Sequence, residues 1–230
     1  MAKDHIDREY HAQLGAVADT LLRMAGHVEE MIADASRALS AGDTVLAAQV
    51  VERDAVVDRL ELDLDSRCVS LLARWHPMAS DLRFVTLALK VVTDLERLGD
   101  LAVNIAERVP QLVAYNPSWS WDRATEMGKV TRQMLSDTMI ALNQRDAELA
   151  ESVIRRDDRV DELYHHLFQD VLQSMREDPS LMSVGIHALS IAKWLERSAD
   201  HVTNLAEQVI FMVRGEDVRH SGLGEEDPAP

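Results

Sequence analysis

The chain has 230 residues, 47% of them hydrophobic but only 4% aromatic, and a net charge of −16. That acidity excludes unaided binding to DNA or RNA, which takes clustered Lys and Arg to displace counterions, and it disfavours an anionic membrane surface. It suits cations and basic protein surfaces instead.

Nine glycines and six prolines leave few turns, so the elements must be long, and an aliphatic core suits packed helices. The N-terminus, MAKDHIDREYHAQL, has no apolar signal core. A first helix runs to Ala41-Gly42-Asp43, with Asp43 as N-cap of the second. The second carries the lone cysteine, Cys68, as a small core residue and ends at Trp75-His76-Pro77. The third opens near Ser80 as cap and closes at Asn116-Pro117-Ser118. Within it Leu95, Leu98, Ala102, Ile105, Val109 and Leu112 follow spacings of three and four. Asn143-Gln144-Arg145-Asp146 separates the fourth and fifth helices, and Asp178-Pro179-Ser180 the fifth and sixth. The sixth has its own seam of Leu195, Val202, Leu205, Val209 and Met212. Trp75, Trp119 and Trp121 fall near loops and read as plugs of bundle ends, whereas Trp194 reads as a core or inter-bundle residue.

The expectation is an all-α protein: six long helices of roughly 25–35 residues, about 40–50 Å each at 1.5 Å per residue. Short loops make sequential neighbours antiparallel, giving two tandem three-helix bundles over 1–115 and 116–214. Residues 215–230 lack periodicity and read as a disordered acidic tail. The longest apolar stretches are too short to span a membrane, so a cytoplasmic protein is expected.

The chain repeats itself. LERLGDLAVNIAERV at 95–109 returns as LERSADHVTNLAEQV at 195–209, displaced by 100. Asp43, Leu46, Val50, Arg53, Asp54, Val57 and Asp58 return as Asp146, Leu149, Val153, Arg156, Asp157, Val160 and Asp161, displaced by 103. The three-residue difference falls at the turns near Pro77 and Pro179, where length changes are tolerated. The chain is thus two related halves, copies of one unit, with the bundles packed side by side.

A polar stripe recurs along with the apolar frame. Each half has two acid pairs spaced four apart: Asp54/Asp58 and Glu96/Asp100, then Asp157/Asp161 and Glu196/Asp200. Such pairs stand over one another on a helix face and repel by a few tenths of a kcal/mol. With 40 acids, chance supplies roughly seven pairs at this spacing, so one pair means little. Four at equivalent places in two diverged copies mean more. Facing one another across antiparallel helices, they form an oxygen-rich site for a hard cation: Mg²⁺, Mn²⁺, Ca²⁺ or iron, with zinc the least natural. Asn104, Glu107, Asn204 and Glu207 extend the stripes as further candidate ligands or as frame residues. Glu61 and Asp65 prolong the first stripe, but their counterparts are Tyr164 and Phe168. Arg97 and Arg197, three before Asp100 and Asp200, are placed for ordinary surface salt bridges. The lone E-x-x-H, Glu162 to His165, falls short of the pair a di-iron bundle needs. No phosphate-binding glycine loop, paired C-x-x-C or nucleophile elbow occurs.

The doubled E-R-x-x-D-x-x-x-N-x-A-E pattern, each copy preceded by R-D-x-x-V-D-x-L, and the HPMASDLRFV stretch at 76–85 resemble the PhoU family, which accompanies phosphate transport. The likeness runs to about residue 214, with Ser198-Ala199 departing from the more typical Leu98-Gly99. It implies two three-helix bundles related by pseudo-twofold symmetry, and metal clusters held by the paired acids. It also implies a non-enzymatic adaptor that negatively regulates phosphate uptake and the phosphate-starvation response. The implied partners are the ATP-binding subunit of the phosphate transporter and the phosphate-sensing histidine kinase, reached at the membrane only through protein contacts. A homodimer stays open, as does a second class of function, a metal-dependent enzyme or metal-storage bundle.

Overall fold

The computed structural model of the chain describes residues 2–115 and 120–215, with side chains from residue 8 onward. Its elements are α1 (Ala2–Ala41), α2 (Thr44–Trp75), α3 (Ala79–Tyr115), α4 (Asp122–Gln144), α5 (Ala147–Ile154), α6 (Asp157–Glu177) and α7 (Met182–Arg214). One 3₁₀ turn, Pro179–Leu181, precedes α7. Among the described residues there is no strand. The turn at Asn116-Pro117-Ser118, Trp119 and the tail from residue 216 lie outside the described residues.

These are the six expected rods, the fifth of them interrupted at Arg155–Arg156 into α5 and α6. Both residues keep right-handed torsions, with φ of −63° and −81°. The Arg156 N–H bonds to the Val153 carbonyl, three residues back, which tightens the turn. The Arg156 side chain reaches back toward the Ser152 carbonyl, and the Ser152 hydroxyl donates to the Leu149 carbonyl at 2.7 Å. These side chains compete locally for the carbonyls that would carry the helix through.

The ends follow their cap chemistry. Asp43 accepts from the N–H groups of Val45 and Leu46, and Asp146 from those of Glu148 and Leu149. Gly42 and Gly215 take the left-handed conformation that ends a helix. Helix α3 starts at Ala79, itself left-handed, so Ser80 sits inside the first turn instead of capping it.

Helices α1, α2 and α3 pack on one another, as do α4, α5–α6 and α7. Between the halves α3 lies on α7 and α1 on α4, and one apolar core runs through both. The α3–α7 seam shows the symmetry. Gln208 donates to Asp94 at 3.2 Å, His201 Nδ1 lies 3.0 Å from Asp94, and the Arg108 guanidinium sits 5.6 Å from the centre of the Trp194 ring. A shift of 100 turns residue 94 into 194 and 108 into 208. The Asp94–Gln208 and Arg108–Trp194 contacts are therefore one contact seen from either half. Trp194 is an inter-bundle residue, as expected. Trp75 packs 5.7 Å from the Tyr10 ring at the end of the first bundle.

The repeat also runs through the first rod of each half. Met24, Met31, Asp34, Ala38 and Leu39 recur at a displacement of 103 as Met127, Met134, Asp137, Ala141 and Leu142, and the apolar members are buried.

Candidate metal centres

The acids are placed by their apolar neighbours. Val57 and Leu64 on α2, and Leu95, Leu98 and Ala102 on α3, are buried. On a helix of 3.6 residues per turn this leaves Asp54, Asp58, Glu96 and Asp100 beside the seam between α2 and α3. The second half repeats the arrangement with Val160 and Leu167 on α6 and Leu195, Ala199 and Val202 on α7.

A polar anchor in each half sets the rotation of the acid-bearing helix. Arg53 Nη1 lies 3.1 Å from Asp34 Oδ2 and 3.5 Å from Glu30, tying α2 to α1. Arg156 pairs with Asp137 at 2.6 Å, tying the start of α6 to α4. Both arginines immediately precede the first acid of their stripe. Gly99 faces this seam with room to spare: a Cβ there would make only ordinary contacts, 3.4 Å from Asp54 Oδ1 and 3.6 Å from Val57.

The acids act on one another across the helices. Burial, then Asp58, then Asp100 on the other helix push Asp54 up to about 6. Asp157 is pushed further, to about 7, by burial, Asp161, Asp200, Asp158 and Glu196. Glu96 and Glu61 are raised by burial and by Asp100 and Asp65 respectively, against the lowering effect of Arg97. Asp161 and Asp200 are raised by burial and Glu196, against that of Lys193. The acids of each half thus lie within electrostatic reach of one another, with Glu61 and Asp65 joining the first group and Asp158 the second. Asn104 and Asn204 lie one turn beyond Asp100 and Asp200, and Glu107 and Glu207 about two turns beyond.

The cations nearby differ between halves. Arg97 lies 3.5 Å from Glu96 and 3.4 Å from Asp100. In the second half Lys193 pairs with Glu196 and sits 5.6 Å from the centre of the Tyr164 ring. Sequence reasoning missed Lys193, whose signal is its position three before Glu196 where the first half has Thr93. It also missed the Arg53–Asp34 and Arg156–Asp137 anchors, whose signal is the recurrence of Asp34 as Asp137.

The donor set fits a hard cation. Every candidate atom is oxygen, the negative charges are close enough to resist full ionisation, and Glu196 Oε2 is buried without a hydrogen-bond partner. Among the described residues no three carboxylates, imidazoles or thiols already converge as a ligating cluster. Softer ligands are not poised. Burial pushes the Cys68 thiol up to about 11, which keeps it protonated. Glu162 is paired with Arg159, and both Glu162 and His165 are exposed. Clefts of about 620 Å³ between α1 and α4, and about 390 Å³ where residues 11–22 of α1 meet the start of α3 and the end of α4, are not lined by the paired acids.

A family model described as the PhoU domain matches the chain twice, over residues 21–109 and 124–209. The phosphate-specific transport system accessory protein PhoU homologue of Pseudomonas putida is 40% identical over 220 residues, covering 95% of this chain and 86% of that protein. The Escherichia coli K12 accessory protein PhoU is 32% identical, covering 97% and 92%. The crystal structure of PhoU from Pseudomonas aeruginosa superposes with a TM-score of 0.86 at 37% identity, over 90% of this chain and all of that one. The phosphate transport system regulatory protein PhoU from Streptococcus pneumoniae gives 0.83 at 29% identity, over 91% and 99%.

Proposed function

The chain belongs to the PhoU family, and from that premise we propose that it is a regulatory adaptor of phosphate homeostasis. It holds phosphate uptake and the phosphate-starvation response in check when phosphate is plentiful. Its partners are the ATP-binding subunit of the phosphate transporter and the phosphate-sensing histidine kinase. It works in the cytoplasm and meets the membrane through those proteins; among the described residues no helix is long and apolar enough to cross one. The observation that carries the reading is the PhoU-domain match to both halves, with relatives named as accessory proteins of phosphate transport along nearly the whole chain.

The protein acts by binding, not by turnover. Two bundles joined along α3–α7 and α1–α4 make a stiff body, and its acidic stripes suit a basic partner surface. Divalent or ferric ions belong to those stripes, with Mg²⁺, Mn²⁺ and iron ahead of zinc. Asp54, Asp58, Glu96 and Asp100 would hold them in the first half, and Asp157, Asp161, Glu196 and Asp200 in the second. Asn104, Glu107, Asn204 and Glu207 offer further oxygens along the same helices. A bound ion supplies the positive charge that lets these carboxylates ionise together. The protein's own part is to aim them: Arg53 and Arg156 hold the rotation of α2 and α6.

Deletion of the gene in its host at high phosphate tests the reading. A phosphate-regulated promoter should be derepressed and silenced again by the wild-type copy. A promoter that stays silent, with any paralogue also removed, counts against the adaptor. Hydrolysis of phosphate esters by the purified protein with metal would favour an enzyme instead.

A further inference from the structure

The two acid clusters differ in what surrounds them, and the difference centres on one side chain. In the second half Lys193, one turn before Glu196 on α7, places its ammonium on Glu196 Oε1. Its charge also acts on Asp161 and Asp200. The face of Tyr164, on α6, lies 5.6 Å from Nζ and gives the ammonium a second attraction. Glu196 itself is only 14% exposed, so this contact is better shielded from solvent than a surface pair.

The first half has none of these parts. Thr93 stands in place of Lys193 and spends its hydroxyl on the Leu89 carbonyl of its own helix. Glu61 and Asp65 stand where Tyr164 and Phe168 do. Arg97 touches Glu96 and Asp100 only at 3.4–3.5 Å, and its side chain is 58% exposed.

We infer that Lys193 is a built-in counter-cation of the second acid cluster, making the two halves unequal metal sites, of which the first fills before the second. The inference rests on the metal reading proposed above. An entering cation must move the ammonium off Glu196 Oε1 and meets its repulsion while it stays near. The lysine is half exposed on a flexible stem, so it can swing away. Filling the second site therefore takes more metal than filling the first.

Mn²⁺ titration of the full chain, following free ion by electron paramagnetic resonance, tests this. Wild type should bind in a tight and a weak phase. Glu96→Ala with Asp100→Ala should abolish the tight phase and leave the weak one. Adding Lys193→Met, which keeps the stem and removes the charge, should tighten the remaining phase by about tenfold, the scale of one unit charge a few ångströms away in a partly screened site. Lys193→Thr, the first-half residue, should do the same should the methionine variant fold poorly. Lys193→Arg should leave the phase weak. Unchanged binding in the Met and Thr variants, or tightening by Arg, overturns the role of Lys193 while the metal reading stands. Wild type binding no Mn²⁺ at all overturns both.

Discussion

Asp157 shows how one residue reports on its surroundings. It titrates at about 7 in the fold against an ordinary 3.8, because burial and then Asp161 resist its charge. The folded state holds this proton more tightly than the unfolded chain does. The stability gained is complete below about 3.8 and is lost as pH rises through 7. Asp54 adds a smaller effect of the same sign, lost through about 6. Chelator-treated protein should accordingly show a melting temperature that falls between pH 5 and pH 8. Asp157→Asn, with no proton to lose, should fall less over that range. Parallel curves for the two proteins would mean that Asp157 does not titrate there. The positions of these acids were legible in the sequence, since spacing and repeat mark them. Their coupling was not, because it needs Asp100 and Asp200 to approach from another helix.

At the scale of the helices, two glycines in similar surroundings make opposite demands. Gly99 faces Asp54 and Val57 at ordinary contact distances, and its counterpart is Ala199. Gly99→Ala should therefore gain helix propensity without a clash, raising stability by up to about 1 kcal/mol in chemical denaturation. Gly128 lies where α4 meets α1. A Cβ there would stand 2.0 Å from Ser36 Oγ and 2.9 Å from Ser36 Cβ. Gly128→Ala must push the two helices apart and should cost about 1–3 kcal/mol. Equal effects from the two substitutions would contradict this account of the inter-bundle contact. Neither glycine could be sorted from sequence, because both sit within helical periodicity and differ only in what crosses over them. The interruption before Asp157 is of the same kind. Ser152 and Arg156 are unremarkable helix residues until their side chains are seen turning back on the backbone.

The molecule as a whole is two bundles on one core. One cluster of buried apolar residues continues from α1 and α3 into α4 and α7, and the α3–α7 seam adds the Asp94–Gln208 and Arg108–Trp194 contacts. Neither half can open without exposing apolar surface of the other. Thermal unfolding followed by circular dichroism and by tryptophan emission should therefore give one shared transition. Two resolved transitions would show that the halves hold separately.

The sequence alone determined the helices, their ends at Asp43, Gly42, Arg145 and Pro179, the doubled unit and the four acid pairs. Each of these is written within one helix or between two stretches of chain compared position by position. Periods of three and four, cap residues and fixed displacements need no knowledge of what lies across a seam. Only the tertiary structure decided that Arg53 and Arg156 anchor to Asp34 and Asp137, that the acids of each half act on one another across two helices, and that Lys193 answers one cluster alone. Those outcomes depend on the distance and rotation between rods, which are set by the packing of all the side chains between them.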